Sequence, residues 1–213
     1  MAAEKDRLDP ERSCMVFFDT STYVKNGKFA SDDPKDAIMI KNWQFQLALA
    51  RELKMMIGWS QTAQRPGGAA YFPRRQDIGD DGKPLPVGVR RPISNNLLGA
   101  SHIRTIEDIA IGPKDYIFWK ERWDPFQGTN FESCLRLLGI DTLIANGGAT
   151  GVGIASTAFG AHRLDFDLVV VSDGCYAGGS NEEHEVFLKE IFPGMGRVRT
   201  AAQVMAMLRA GKA

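Results

Sequence analysis

One segment of the chain, DTLIANGGATGVGIASTA at 141–158, carries four glycines between a short apolar run and a helical stretch. That is a strand running into a tight turn and then into a helix. The first N–H groups of such a helix have no partner within it, so they can hold an anionic or developing-negative oxygen. A strand-to-helix step of this kind belongs in an α/β chain.

Apolar runs alternate with amphipathic stretches throughout. Strands are expected at residues 14–19, 55–60, 116–119, 142–145 and 168–172, with a short one at 197–199. Helices are expected at 33–53, with Pro34 in the first turn, at 130–138, ended by Gly139, and at 151–163. Ser180–Glu183 and Thr200–Gln203 read as capping boxes that start two more. The alternation predicts an α/β fold, a three-layer α-β-α sandwich with a mostly parallel sheet, in a single domain over residues 1–213. Residues 62–109 break the rhythm and read as a long irregular loop region, functional or at an interface. Ligands of such sheets sit outside the carboxyl ends of the strands. Asp19 and Lys120 each close an apolar run, which makes them candidates for the site.

Composition narrows the function classes. Acidic and basic residues balance at 26 each, which removes the electrostatic case for nucleic acid as a partner. No apolar run approaches the length of about 20 residues that spans a bilayer, so no membrane partner is expected. Residues 1–11 are charged and polar, unlike a secretory signal, and a cytoplasmic location is expected. Three cysteines, Cys14, Cys134 and Cys175, are an odd number without a C-x-x-C, so neither a disulfide framework nor a zinc site is expected. They read as buried apolar thiols.

The glycine spacing admits a dinucleotide-binding reading. Gly147, Gly151 and Gly153 fit G-x-x-x-G-x-G, and Asp173 ends the next expected strand, where a ribose-binding acid would lie. The context disagrees. That turn belongs after the first strand, whereas most of this chain precedes it, and no Tyr-x-x-x-Lys follows. An NAD(P)-dependent reductase is therefore the third of three readings, and no cofactor is expected.

A second pattern runs along most of the chain. Asp19 ends the first strand and Lys120 the third. Gly139, Gly147, Ala149 and Thr150 follow, then Ser156-Thr157-Ala158 and Ser172-Asp173-Gly174-Cys175. Over residues 12–209 this order resembles the isochorismatase-like superfamily, also called the cysteine hydrolases. The resemblance implies a catalytic Asp–Lys–Cys triad to which Asp19 and Lys120 correspond, with Gly153 at the cysteine position. Glycine cannot supply a thiolate. Isochorismatases of this superfamily also carry glycine there and hydrolyse a vinyl ether without a covalent intermediate. The resemblance thus implies a hydrolase of a small carboxylated or amide-bearing metabolite, working without a covalent cysteine. Asp19 would be the acid/base, if an apolar strand end raises its pKa, and Lys120 its partner. The alternative is a non-catalytic binding relative that has lost its nucleophile.

Further candidate residues come partly from the same resemblance and partly from side-chain chemistry in the long loop. Gln64 matches a substrate-contacting glutamine, and Arg74 and Arg75 are candidate carboxylate clamps. Trp123, Ala149, Thr150 and Gly151 are expected to line the substrate, and the Gly148–Ala149 peptide to be cis. The sequence departs from the isochorismatase pattern at 148–151, where Val-Tyr-Ala-His is usual, and after Asp19, where Thr20, Ser21 and Thr22 stand. No histidine lies between Asp19 and His102, so the metal site of the nicotinamidase branch is not expected. A homodimer or homotetramer is implied. Outside the pattern, Trp119 reads as core and Trp123 as a pocket wall. His184 reads as a solvated helix residue. Ser156 and Thr157 read as hydroxyls bonded back to their own helix.

Overall fold

The structure is a computed structural model that describes residues 7–22, 34–65, 77, 83–86 and 96–212. Six strands form one sheet: β1 (Ser13–Phe18), β2 (Met56–Thr62), β3 (Tyr116–Lys120), β4 (Thr142–Gly148), β5 (Asp167–Tyr176) and β6 (Arg197–Arg199). Their order is β3-β2-β1-β4-β5-β6, and all five pairings are parallel. Strand order reverses between β1 and β4, so the carboxyl ends of those two strands flank the crevice where such sheets bind ligands.

Helices cover both faces. Period-2 alternation along β1 sends Met15 and Phe17 to one face, and Cys14, Val16 and Phe18 to the other. The first face packs against α1 (Pro34–Glu52), through Met39, Trp43 and Leu47, and against α5 (Ala201–Gly211), through Val204 and Leu208. The second packs against α2 (Phe131–Leu137) and α3 (Ala155–Arg163), through Phe131, Leu135, Ala158 and Ala161. A six-residue helix, α4 (Asn181–Val186), leads into further helical turns that place Leu188 and Phe192 on that same face. The α/β sandwich expected from the alternation is the fold of the chain.

Several local expectations are corrected. β5 does not end at Asp173. It bulges against β4, where Ala145 pairs with Val170 but Gly147 with Cys175, and runs on to Tyr176. Ser172, Asp173 and Gly174 therefore lie within a strand, although as a sequence they look like a turn. The Asp173 carboxylate accepts the Ala201 N–H at 2.6 Å, capping α5 rather than facing a ribose. Trp119 is not core. It lies on the edge strand β3 and is 41% exposed. At Thr200 the capping box is complete, whereas at Ser180 only the hydroxyl arm is made, to the Glu183 N–H. The described part of the 62–109 region is anchored, with Ile103, Ile106 and Ile109 buried.

Candidate active site

Asp19 follows β1 with a positive φ of 47°, a left-handed conformation that aspartate tolerates better than most residues. Its main chain is held on two sides. The N–H donates to the Ser60 carbonyl at 2.9 Å, and the carbonyl accepts the Tyr176 hydroxyl at 3.0 Å. The carboxylate is thereby aimed over the end of β2. Oδ1 accepts the Thr62 N–H at 2.6 Å, and Oδ2 accepts Lys120 Nζ at 2.6 Å.

Lys120 is the last residue of β3 and its side chain is 1% exposed. Its Nζ also donates to Thr62 Oγ1 at 2.6 Å. A buried ammonium without such partners would be very costly. Asp19 and Lys120 each close an apolar run, as read from the sequence, but their strands are not neighbours. The structure puts β2 between them, and the lysine reaches across it. Thr62, which closes this triangle, was not singled out in the sequence. Its signal is positional, because it stands opposite Lys120 in the β2–β3 register.

The Gly-rich turn meets this pair from the other side of the reversal point. Gly147 has φ 97° and passes so close to the Phe18 main chain that no side chain would fit. The Gly148–Ala149 peptide is cis. Residues Thr150–Ile154 then form a π-helical turn, with the Ile154 N–H bonded to the Ala149 carbonyl at 3.1 Å, before α3 begins. The helix expected from Gly151 therefore starts as a wider turn. A Cβ placed on Gly153 would lie 3.7 Å from Asp19 Oδ2 and 2.9 Å from the Gly148 carbonyl oxygen. Position 153 thus faces the Asp19–Lys120 pair.

Thr150 is fully buried. Its hydroxyl donates to the Tyr176 carbonyl at 2.9 Å and lies 2.8 Å from His184 Nδ1. His184 is half-buried rather than solvated, which corrects the sequence reading. The space a side chain at Gly151 would take is filled by the Glu183 carboxylate. Gln64 is buried. It is held by main-chain bonds to Asn96 and Leu98, at 2.7 and 2.8 Å, and its Oε1 has no hydrogen-bond partner among the described residues. Trp123 is 57% exposed. Arg74 and Arg75 lie outside the described residues. Thr157 Oγ1 bonds back to the Gly153 carbonyl at 2.7 Å, as expected of a mid-helix threonine.

Cys14 and Cys175 are buried, and burial pushes both thiols well above their ordinary range. Cys175 lies inside β5 rather than beyond it. Among the described residues no group of three or more His, Cys, Asp or Glu side chains is placed to share a metal ion. An open cleft of about 520 Å³ between Arg12, Asp141, Asp167 and Arg197 lies at the amino-terminal end of the sheet, remote from these groups.

Comparison with known proteins identifies the family and matches the fold. Residues 13–203 match the family model described as Isochorismatase domain. An isochorismatase family protein of Bacillus subtilis (strain 168) is 35% identical over 104 residues, which cover 49% of this chain and 54% of that protein. The chain thus spans about half the length of that curated relative. A ureidoacrylate amidohydrolase of Methylobacterium radiotolerans is 26% identical over 210 residues, covering 92% of this chain and 79% of that protein. The solved structure of an isochorismatase family protein from Burkholderia thailandensis superposes with a TM-score of 0.80 at 25% identity, covering 95% of this chain and 98% of that one.

Proposed function

The chain belongs to the isochorismatase family, and from that premise we propose that it hydrolyses a small carboxylated or amide-bearing metabolite without a covalent cysteine. Asp19 is the acid/base of this reading and Lys120 its partner. Gly153 takes the place where cysteine hydrolases carry their nucleophile. The observation that carries the reading is the 3.7 Å between a Cβ at position 153 and Asp19 Oδ2. A reacting carbonyl above Gly153 would sit beside a carboxylate that Lys120 and Thr62 hold in place. The similarity to a ureidoacrylate amidohydrolase supports an amide or ureido bond as the target.

In that reaction Asp19 takes a proton from water as the water oxygen adds to the carbonyl carbon. The N–H groups at the start of the π-helical turn face the developing oxyanion. Collapse of the tetrahedral adduct breaks the C–N bond, and Asp19 returns its proton to the departing nitrogen. The products are an acid and an amine. Gln64, whose Oε1 has no partner among the described residues, is a substrate contact in this reading. Ala149, Thr150 and Gly151 form the wall. Arg74, Arg75 and Trp123 complete the proposed substrate-binding set.

One observation favours a second reading, that of a non-catalytic binding relative: residue 153 has no side chain with which to attack. Turnover decides between the two. The purified protein is incubated with a panel of ureido acids, N-carbamoyl amino acids, simple carboxamides and vinyl ethers, and products are followed by mass spectrometry. Hydrolysis by the wild type that disappears in Asp19→Asn supports the hydrolase. Wild-type turnover no higher than that of Asp19→Asn across the panel supports the binding relative.

A further inference from the structure

The wall of the site behind Thr150 is built by α4. Glu183 lies over Gly151, and the next residue, His184, meets Thr150. The Thr150 hydroxyl has one proton and can also accept. Its proton goes to the Tyr176 carbonyl at 2.9 Å, so at 2.8 Å the hydroxyl must accept from His184, whose Nδ1 carries the hydrogen. A bare Nδ1 would leave one proton to serve two acceptors. Burial holds the His184 pKa below its ordinary value, with Lys35 acting in the same direction and Glu185 and Glu183 against it. The ring facing Thr150 is therefore a neutral Nδ1–H imidazole at neutral pH.

The bond chain does not stop at Thr150. Tyr176, whose carbonyl takes the Thr150 proton, donates its own hydroxyl to the main-chain carbonyl of Asp19 at 3.0 Å. One continuous series runs from α4 through the first residue of the π-helical turn to the strand end that carries the carboxylate. The same turn sets how far Gly153 stands from Asp19.

We propose that His184 is a positioning residue of this site: its Nδ1–H fixes Thr150, and through it the turn that holds position 153 against Asp19. The inference rests on the hydrolytic reading above for its kinetic consequence, but not for its structural one.

The test uses the geometry of amide side chains. The asparagine amide nitrogen falls near the place of Nδ1 and can donate to Thr150. The glutamine amide nitrogen falls near Nε2 and cannot. His184→Ala and His184→Gln should lower kcat, with KM much less affected, by up to about 100-fold, the cost of a displacement on the order of 1 Å. His184→Asn should retain most of the wild-type kcat. Hydrogen–deuterium exchange supplies the arm that needs no substrate. The amides of residues 150–155 should exchange faster in His184→Ala and His184→Gln, and at the wild-type rate in His184→Asn. Equal loss in all three variants, or unchanged exchange in His184→Ala, overturns the proposal. A wild type that turns nothing over defeats the hydrolytic reading alone, and the exchange pattern still decides the role of His184.

Discussion

Thr62 stands directly opposite Lys120 in the β2–β3 ladder, and its hydroxyl takes a 2.6 Å hydrogen bond from that lysine's Nζ. The same residue's N–H holds the other oxygen of Asp19. β2 separates the strands that carry Asp19 and Lys120, so Thr62 is what lets an ion pair span two strand spacings. Thr62→Val keeps the branched shape and removes only the acceptor. It should cost about 1–3 kcal/mol of unfolding free energy, because a buried charged donor loses a partner. Urea denaturation checks this, and a midpoint equal to that of the wild type would show that Thr62 does not satisfy the lysine.

Asp19→Asn should reduce turnover by about 10²–10⁴-fold, the usual range for a positioned proton-transfer group. It also leaves the Lys120 ammonium buried without a counter-charge. Breaking a fully buried pair from one side costs about 3–5 kcal/mol, and less is expected here because the Asp19 side chain is 18% exposed. Adding Lys120→Met separates the two effects. The double variant should regain thermal stability and stay inactive. Recovery of activity along with stability would remove Asp19 from the chemistry.

Asp19 and Lys120 were legible because each closes an apolar run, and in a parallel sheet the carboxyl ends of the strands converge. The layers were legible because short apolar runs alternate with helical stretches on either side of the irregular 62–109 region. Three things were not. Sheet order is set by long-range pairing, so nothing local revealed that β2 would lie between the two charged residues. The bulge hid the end of β5, and with it Tyr176, because Ser172-Asp173-Gly174 is turn chemistry placed inside a strand. His184 sits among three glutamates, Glu182, Glu183 and Glu185, which marks a solvated face. Only the packing of α4 on the Gly-rich turn buries one side of it.

Stability should decline in mild acid partly through His184. Its folded pKa is depressed below the ordinary 6.5 by burial. Above that value both states hold a neutral ring, and its contribution is fully present. As pH falls below it the unfolded chain takes up the proton first, so stability is lost down through the folded pKa. His184→Asn lacks this component. The gap in urea midpoint between wild type and His184→Asn should therefore narrow from about pH 7.5 to about pH 5. A gap independent of pH would mean that the ring is not held neutral.

Thiol reagents should leave the protein's activity intact. Cys14 and Cys175 are 0% and 6% exposed, and burial raises both thiols out of the reactive range. Iodoacetamide on the native protein should label Cys134, which is half-buried on α2, well before either of them. Peptide mapping alongside turnover reads both quantities. Inactivation that tracks labelling of Cys175 would overturn the cysteine-free account.

Substitution at Gly153 carries the sharpest consequence. A Cβ there meets the Gly148 carbonyl oxygen at 2.9 Å, and that partner is main chain, which no rotamer change relieves. Replacing a glycine in a helical turn by alanine gains up to about 1 kcal/mol from backbone propensity. Overpacking costs about 1–3 kcal/mol, so Gly153→Ala should be destabilising on balance. The shift it forces runs toward the Gly-rich wall, and the new carbon also stands 3.7 Å from Asp19 Oδ2, where the proposed water and carbonyl meet. Turnover of any wild-type substrate should accordingly fall in Gly153→Ala and fall further in Gly153→Cys, whose sulfur extends closer to the carboxylate. The opposite result has an equally definite meaning. In a site that lost its nucleophile, the restored thiol would lie beside Lys120 and Asp19 at a helix start, the surroundings that activate cysteine. Gly153→Cys would then gain amidase activity absent from the wild type, or accumulate a thioester visible as a mass increase on the intact protein. Either gain would replace the cysteine-free hydrolase with the binding relative as the account of this chain.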